Sequence, residues 1–386
     1  MAIIHIYFVL LQQKFKIMYD QIREDTLFII IYSVVTAMAM IASCYLLFRR
    51  ANAITPDVTS SVRLRRWTGL FFASIAFNHV WYMPIFFLSS SVEIKMTDLV
   101  GGLLDCMTFF PLAIIVLLTM LQDRRRPLWP VAVMMAPIVA GGVFGVVACS
   151  YALLPEVYVY FLLMCIILIL YMVREVRRYG RWLRDNYADL EHKEVWQSFV
   201  VLAVILLVFA IYVFTSKGPV YQYTMQVIYV VFICYLLWRV ETLSDLSIPV
   251  DDAREETATT ENVEDNDLSL SVRNNIGPLL KKCCEERQLY LQYDISVTQL
   301  AQQIGINRSY LSKHFTLQGI TYNTYINGLR IEHFINLYHE AAATNQPVTV
   351  KQLAYQSGFR SYSTFNAAFK QSMGMTATAW MNNVAE

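Results

Sequence analysis

The sequence predicts an all-α protein, a polytopic seven-helix transmembrane bundle followed by a domain with two helix-turn-helix units. Three observations carry this. Of 386 residues, 56% are hydrophobic and only 16% charged, a balance that a water-facing surface seldom tolerates. The apolar excess lies before residue 241, gathered into runs of membrane length. After it one heptapeptide pattern is written twice, Gln299-Leu300-Ala301-Gln302-Gln303-Ile304-Gly305 and Gln352-Leu353-Ala354-Tyr355-Gln356-Ser357-Gly358, each reading as a short helix closed by a glycine turn.

Residues 1–26 form an N-terminal stub. Its apolar start is too short to span, lacks a basic n-region and shows no small-residue cleavage pattern, so it reads as an interfacial segment or an early gene start with Met18 as initiator. Residues 27–240 form the transmembrane domain, with spans near 27–48, 67–88, 99–121, 128–151, 157–173, 195–215 and 221–239. Each run is about 17 to 23 residues, enough at about 1.5 Å per residue to cross roughly 30 Å of hydrocarbon. The fourth, with Pro130, Pro137, Gly141, Gly142 and Gly145, reads as a closely packed helix.

Basic residues set the orientation, because Lys- and Arg-rich loops stay cytoplasmic. Alternate connections hold Arg49, Arg50, Arg63, Arg65 and Arg66, then Arg124, Arg125 and Arg126, then Arg174, Arg177, Arg178, Arg181, Arg184 and Lys193, whereas the others hold only Lys95 and Lys217. The N-terminus is therefore expected outside and everything after Arg239 in the cytoplasm. Trp67, Trp129, Trp196 and Trp238 fall at the same inner interface, where an indole buries its ring and keeps its N–H near headgroups. Five of the seven cysteines lie in spans, Cys283 and Cys284 are on the reducing side, and no metal-ligand spacing occurs.

The outside loops, near 89–98, 152–156 and 216–222, are too short for a sensor domain, so a stimulus must enter the bundle, act through lipid or come from a partner protein. Intramembrane ionisable groups are the candidates. Asp105 lies about 9 Å and His79 about 14 Å below the outer ends of their spans, depths at which they are expected to meet across antiparallel neighbours. A sensing pair and a purely structural one are both open. The loop 174–194 mixes charges with Tyr179, Trp182, Leu183, Tyr187 and Leu190; an extended or membrane-surface helix is preferred for it over contact with the C-terminal domain.

Net charge is +1, but residues 241–267 carry Arg254 alone against a series of carboxylates and read as an acidic disordered linker. Its expected reach is only about 30 Å. Residues 268–386 form the last domain, with helix-turn-helix units at about 294–319 and 348–374. A leading helix over 268–286, with a turn inside it at 274–278, precedes them. In the first unit Val297, Leu300, Ala301 and Ile304 form the buried stripe, Gly305 the turn and Asn307 the cap of a second helix held by Leu311 and Phe315. A long helix from near Thr321 follows. In the second unit Val350, Leu353 and Ala354 lead to Gly358, Ser361 caps the next helix, Phe365 and Phe369 face the core, and Gly374 ends it.

These residues resemble the DNA-binding domain of AraC/XylS-type transcription regulators, in which a linker helix joins two helix-turn-helix units. The resemblance covers roughly 294–380 and rests on Leu300-Ala301, Gly305, Tyr310-Leu311, Phe315, Gly319, Tyr325, Arg330-Ile331, Leu353-Ala354, Gly358-Phe359, Ser361, Phe365, Phe369-Lys370, Gly374 and Thr376. Ala377 and Trp380-Met381 depart from the usual pattern, and Phe334 stands where the linker helix usually has a small residue. With Leu311 turned inward, Ser309, Ser312 and Lys313 project from the opposite face, and Phe365 sets Ser363, Asn366 and Ala367 in the same way, with Tyr362 at the helix start. The resemblance places base contacts at these positions. Lys313 could donate to guanine, Asn366 could bond adenine in bidentate fashion, and Ala367 could touch a thymine methyl. Arg308, Arg360 and the helix-start N–H groups are expected on phosphates.

The reading is a membrane-tethered, sequence-specific DNA-binding regulator of a bacterial inner membrane, coupling a membrane or extracytoplasmic stimulus to transcription. No catalytic constellation, cofactor or metal site is expected. Its partners are an operator in double-stranded DNA, the lipid bilayer and a small ligand or membrane partner protein, with a homodimer left open. The competing reading is a membrane receptor or transport-like protein whose helix-turn-helix pair docks another protein. A third keeps the DNA function and releases the domain by proteolysis of the linker.

Overall fold

A proline explains the first departure from the expected helices. Pro111 has no N–H to give the Met107 carbonyl, and its ring crowds that group, which favours a kink in the third span just before it. In the computed structural model the chain breaks at Thr108 (φ −121°, ψ −63°). The structure describes residues 25–246 apart from 57, 89, 202, 203 and 205–218, and residues 276–385 apart from 345. The described residues within 1–177 and 195–247 form one unit, and those within 178–194 and 248–386 a second.

The first unit contains α1 (Thr26–Phe48), α2 (Val62–Tyr82) running into a 3-10 turn (Met83–Phe86), α3 (Ser91–Met107), α4 (Phe109–Met120), α5 (Trp129–Ala148), α6 (Leu154–Asn186, whose last turns belong to the second unit) and α7 (Pro219–Thr242). α1 packs on α2 and α7, α2 on α4, and α3 on α5. Among the described residues six segments, 26–48, 62–86, 92–120, 129–148, 154–186 and 222–242, are long and apolar enough to cross a membrane. Their outward residues are oily: Ile41 is 69% and Leu170 67% exposed while Phe28 and Phe72 are buried. In water such surface would be costly, and against lipid it is not. The span expected over 195–215 lies mostly outside the described residues, as do the stub before residue 25 and the linker from residue 247.

Three expected boundaries move. The loop near 89–98 is mostly helix, since α3 begins at Ser91. The helix of the fifth span continues past 173, where Met172, Glu175, Tyr179, Leu183 and Asn186 form one buried stripe at helical spacing, and α6 runs for 33 residues. The acidic linker cannot begin at 241. Glu241 lies in α7, buried, where its carboxylate accepts from Arg65 Nη1 (3.1 Å), Tyr45 Oη (2.7 Å) and the N–H groups of Ala53 and Ile54 (2.8 and 2.9 Å). A buried ion pair with its remaining lone pairs satisfied is stable in place, and breaking it would strand a charge.

The second unit is built around two apolar cores that share one helix. A helical turn over 276–280 continues into a π-helical turn (Lys281–Glu285), then a 3-10 turn (Leu289–Leu291), α8 (Val297–Ile304), α9 (Arg308–Leu317), α10 (Tyr322–Ala343), α11 (Val350–Gln356), α12 (Tyr362–Met373) and α13 (Ala377–Ala385). The turn expected at 274–278 is helical from residue 276, with Pro278 in the first described turn. Leu300, Ile304, Leu311 and Phe315 pack with Tyr322 and Ile326 at the start of α10. Ile331 and Phe334, further along α10, pack with Leu353, Phe359, Phe365 and Phe369. The unusual Phe334 fills the second core, 4.7 Å from the Phe365 ring and 5.5 Å from Phe369.

Candidate nucleic-acid interface

Each recognition helix starts at a side-chain cap, which leaves its first N–H groups oriented and its polar face free. Asn307 accepts from Ser309 N–H and caps α9; Ser361 accepts from Thr364 N–H and caps α12. The helices before them are capped by Ser296, in a reciprocal box with Gln299, and by Thr349. The two turns differ. After Ile304 a single left-handed Gly305 (φ +72°) suffices. Gly358 (φ +85°) lies so near the 3-10 turn that a Cβ would stand 2.7 Å from the Leu291 backbone, so only glycine fits.

Arg330 holds the two halves together. It is 1% exposed, donates from Nε to the Tyr290 carbonyl (2.7 Å) and from Nη2 to those of Gln292 and Tyr293 (2.8 and 3.2 Å), and stacks 5.5 Å from the Phe359 ring centre. Burial lowers its pKa to about 10, which still leaves it charged at neutral pH. The sequence carried a signal for this strut that was missed: Ile326, Arg330 and Phe334 lie on one helical stripe. Cys284 beside it is buried, and its thiol is pushed up to about 12, so it packs as an apolar residue.

On α9, Ser309 and Lys313 are exposed, and Ser312 is half-buried. Ser309 Oγ donates to the cap oxygen of Asn307 (2.9 Å), so Lys313 is the longest free donor on this face. On α12, Ser363 and Ala367 are exposed, while Tyr362 lies against the Phe365 ring at 6.0 Å. Asn366 is half-buried, and its Oδ1 is buried with no partner among the described residues, so its acceptor is turned from solvent. Arg360 is half-buried over the Tyr293 ring (5.7 Å), which fixes its guanidinium beside the start of α12. Tyr310 and Lys370 are further exposed groups on the two helices.

Arg308 is held by a segment that the sequence reading placed elsewhere. Its Nη2 donates to Asn186 Oδ1 (2.6 Å), at the end of α6. The whole stretch 178–194 is built into this unit. Ala188 is buried in the first core, and its N–H donates to the Ile295 carbonyl (3.3 Å). Tyr187 pairs with Ser296 in an antiparallel bridge. Asn323 Nδ2 donates to the Ala188 and Tyr187 carbonyls (2.6 and 3.3 Å), and Lys193, 2% exposed, pairs with Asp294 at 2.7 Å. Contact with the C-terminal domain therefore replaces the preferred reading of this loop, although its first half is indeed an extended helix. Asp189 is buried in the same place, which raises its carboxyl pKa.

The two intramembrane candidates are not a pair. Asp105 accepts from Asn78 Nδ2 (2.6 Å) and Tyr82 Oη (2.9 Å). His79 Nδ1 faces the Ile75 carbonyl (2.9 Å), and its ring packs between Tyr32 and Tyr229 at 4.7 and 4.8 Å. Adjacent residues on a helix point about 100° apart, so Asn78 meets α3 and His79 turns to α1 and α7.

Residues 300–383 match the family model described as a helix-turn-helix domain. The C-terminal domain is a helix-turn-helix domain of AraC type. It is 30% identical over 92 residues to an uncharacterized HTH-type transcriptional regulator of Staphylococcus aureus (strain COL), a match covering 24% of this chain and 12% of that protein. It is 32% identical over 79 residues to the TCP pilus virulence regulatory protein of Vibrio cholerae (El Tor Inaba N16961), covering 20% of this chain and 27% of the relative. The chain thus spans under a third of the length of these relatives. No solved structure matches the chain.

Proposed function

We propose that the chain is a membrane-tethered, sequence-specific transcription regulator whose bundle senses a stimulus and passes it to the DNA-binding domain through α6. One observation carries the coupling. The 33-residue helix that begins in the apolar unit ends inside the DNA-binding unit, where Asn186, Ala188 and Lys193 bond to or pack among its elements. A rigid helix transmits rotation or displacement. In this reading Lys313, Ser309, Ser312, Tyr362, Ser363, Asn366 and Ala367 face base edges, Arg308 and Arg360 face phosphates, and the Asn186 contact competes with DNA for Arg308. The N-terminus lies outside, the DNA-binding domain lies at the cytoplasmic face of a bacterial inner membrane, and Asp105 belongs to the sensing region.

Chromatin immunoprecipitation with sequencing of the intact, membrane-fractionated protein tests this. It should enrich a few discrete operators, and reporter fusions after Arg126 and Arg184 should read cytoplasmic while those near Lys95 and Lys217 read exterior. Membrane-bound protein that enriches no DNA would instead support the protein-docking alternative.

A further inference from the structure

We infer that the first unit binds a small aliphatic diamine, seated between the carboxylates of Asp98 and Asp105 at the end of the bundle where α2 finishes and α6 begins. This names the stimulus class for the proposed function and rests on that reading for its consequence, but not for the binding.

Asp98 and Asp105 stand seven residues apart on α3, two turns along one face, or about 10.5 Å along the axis. Gly102 lies on the same stripe between them, and a Cβ there would meet nothing within 4 Å. A bare strip of helix therefore separates the two acids. It forms the floor of a cavity of about 290 Å³, walled by Tyr82, Tyr151, Phe110 and Ile138 and by Val157 and Phe161 of α6. That is far more than the roughly 10 to 15 Å³ that one water needs on this measure.

The charge of the cavity selects its occupant. Among the described residues Asp98 accepts from Tyr151 Oη (2.9 Å) alone, and Asp105 from Asn78 and Tyr82. All three donors are neutral, and among the described residues neither carboxylate has an ion-pair partner. Lys95, on the same helix, has its Nζ over the Tyr151 ring at 5.1 Å. Carboxylates in an apolar bundle are costly unless a cation joins them. A metal ion is a poor fit, because no three His, Cys, Asp or Glu side chains converge among the described residues. Two ammonium groups joined by methylenes meet both acids, lay the chain along Gly102 and present cations to tyrosine faces. Such a ligand touches α6 directly, so it can favour one arrangement of that helix over another.

The test is calorimetric titration of the full chain in detergent micelles with putrescine, butylamine and butyrate. Putrescine should bind saturably, butylamine more weakly and butyrate not at all. Asp98→Asn and Asp105→Asn should each weaken putrescine binding about tenfold or more, as loss of a charge-assisted hydrogen bond does. Gly102→Leu sets its Cβ where nothing stands within 4 Å and adds bulk to the empty strip, so it should abolish binding while leaving the thermal unfolding midpoint in place; this variant decides the matter if either Asn variant fails to fold. No saturable putrescine binding, equal binding of butylamine, or unchanged binding in Gly102→Leu would overturn the site. Binding without any effect of putrescine on target-gene expression would keep the site and sink its link to transcription.

Discussion

The double variant Lys193→Ala with Asn323→Ala should free the end of α6 from the DNA-binding unit. Asn323 supplies the hydrogen bonds to the Ala188 and Tyr187 carbonyls, and stranding these acceptors costs about 1 to 2 kcal/mol. Lys193 pairs with an Asp294 whose side chain is 52% exposed, so the pair contributes about 1 kcal/mol rather than the larger value of a buried one. If the two sites act independently the sum is about 2 to 3 kcal/mol, roughly a 30- to 150-fold shift toward the undocked state. Hydrogen exchange at the Ala188 amide, which bonds the Ile295 carbonyl, reads that opening in the full chain. Exchange should quicken by the same factor, and target-gene expression should stop following the stimulus. Unchanged exchange at 187–194, or normal regulation despite faster exchange, would refute transmission through α6. For the same reason an isolated 268–386 fragment should be less stable than the intact unit, since it lacks Ala188 from its core, and a 178–194 peptide added in trans should stabilise it.

Three further outcomes are expected. In fluorescence-anisotropy titrations, Lys313→Ala should weaken the specific operator by about 1 to 3 kcal/mol and relax preference at one base, whereas Arg308→Ala should weaken all DNA alike and lower the salt slope by about one. Gly358→Ala should lower the thermal midpoint of the DNA-binding unit through a loss of about 2 to 4 kcal/mol, because left-handed strain adds to a Cβ 2.7 Å from the Leu291 backbone, while Gly374→Ala (φ +74°, open space) should incur only the strain. Burial holds the pKa of His314 and His333 below the usual histidine range, so the unfolded chain takes up protons first as pH falls through about 6.5. These two groups should therefore make the unit less stable on acidification, and melting curves of a His314→Gln, His333→Gln variant should be flatter over that range.

Repeated local patterns made the helix-turn-helix units legible. The stripe Val297, Leu300, Ala301, Ile304, the caps Asn307 and Ser361 and the turn glycines Gly305 and Gly358 each report within a few residues, and the structure has them in those roles. Most spans were legible for a similar reason, since length and hydropathy are properties of one segment. The break at Thr108 was also written locally, in Pro111, but a continuous apolar run masked it. Partner choice was not legible. Depth along a helix put Asp105 and His79 at similar levels, yet which neighbour each faces depends on the rotation of α2, and that rotation gives Asp105 to Asn78 and Tyr82 and His79 to two tyrosine rings. Likewise Glu241 read as linker because it opens an acidic stretch, whereas a buried Arg65 far away in sequence takes it into α7. The sequence by itself determined the all-α class, the paired helix-turn-helix units and the segments that suit a membrane. Only the tertiary structure decided that 178–194 completes the DNA-binding core, because burying Ala188 and pairing Lys193 with Asp294 are energies between segments that no local pattern records.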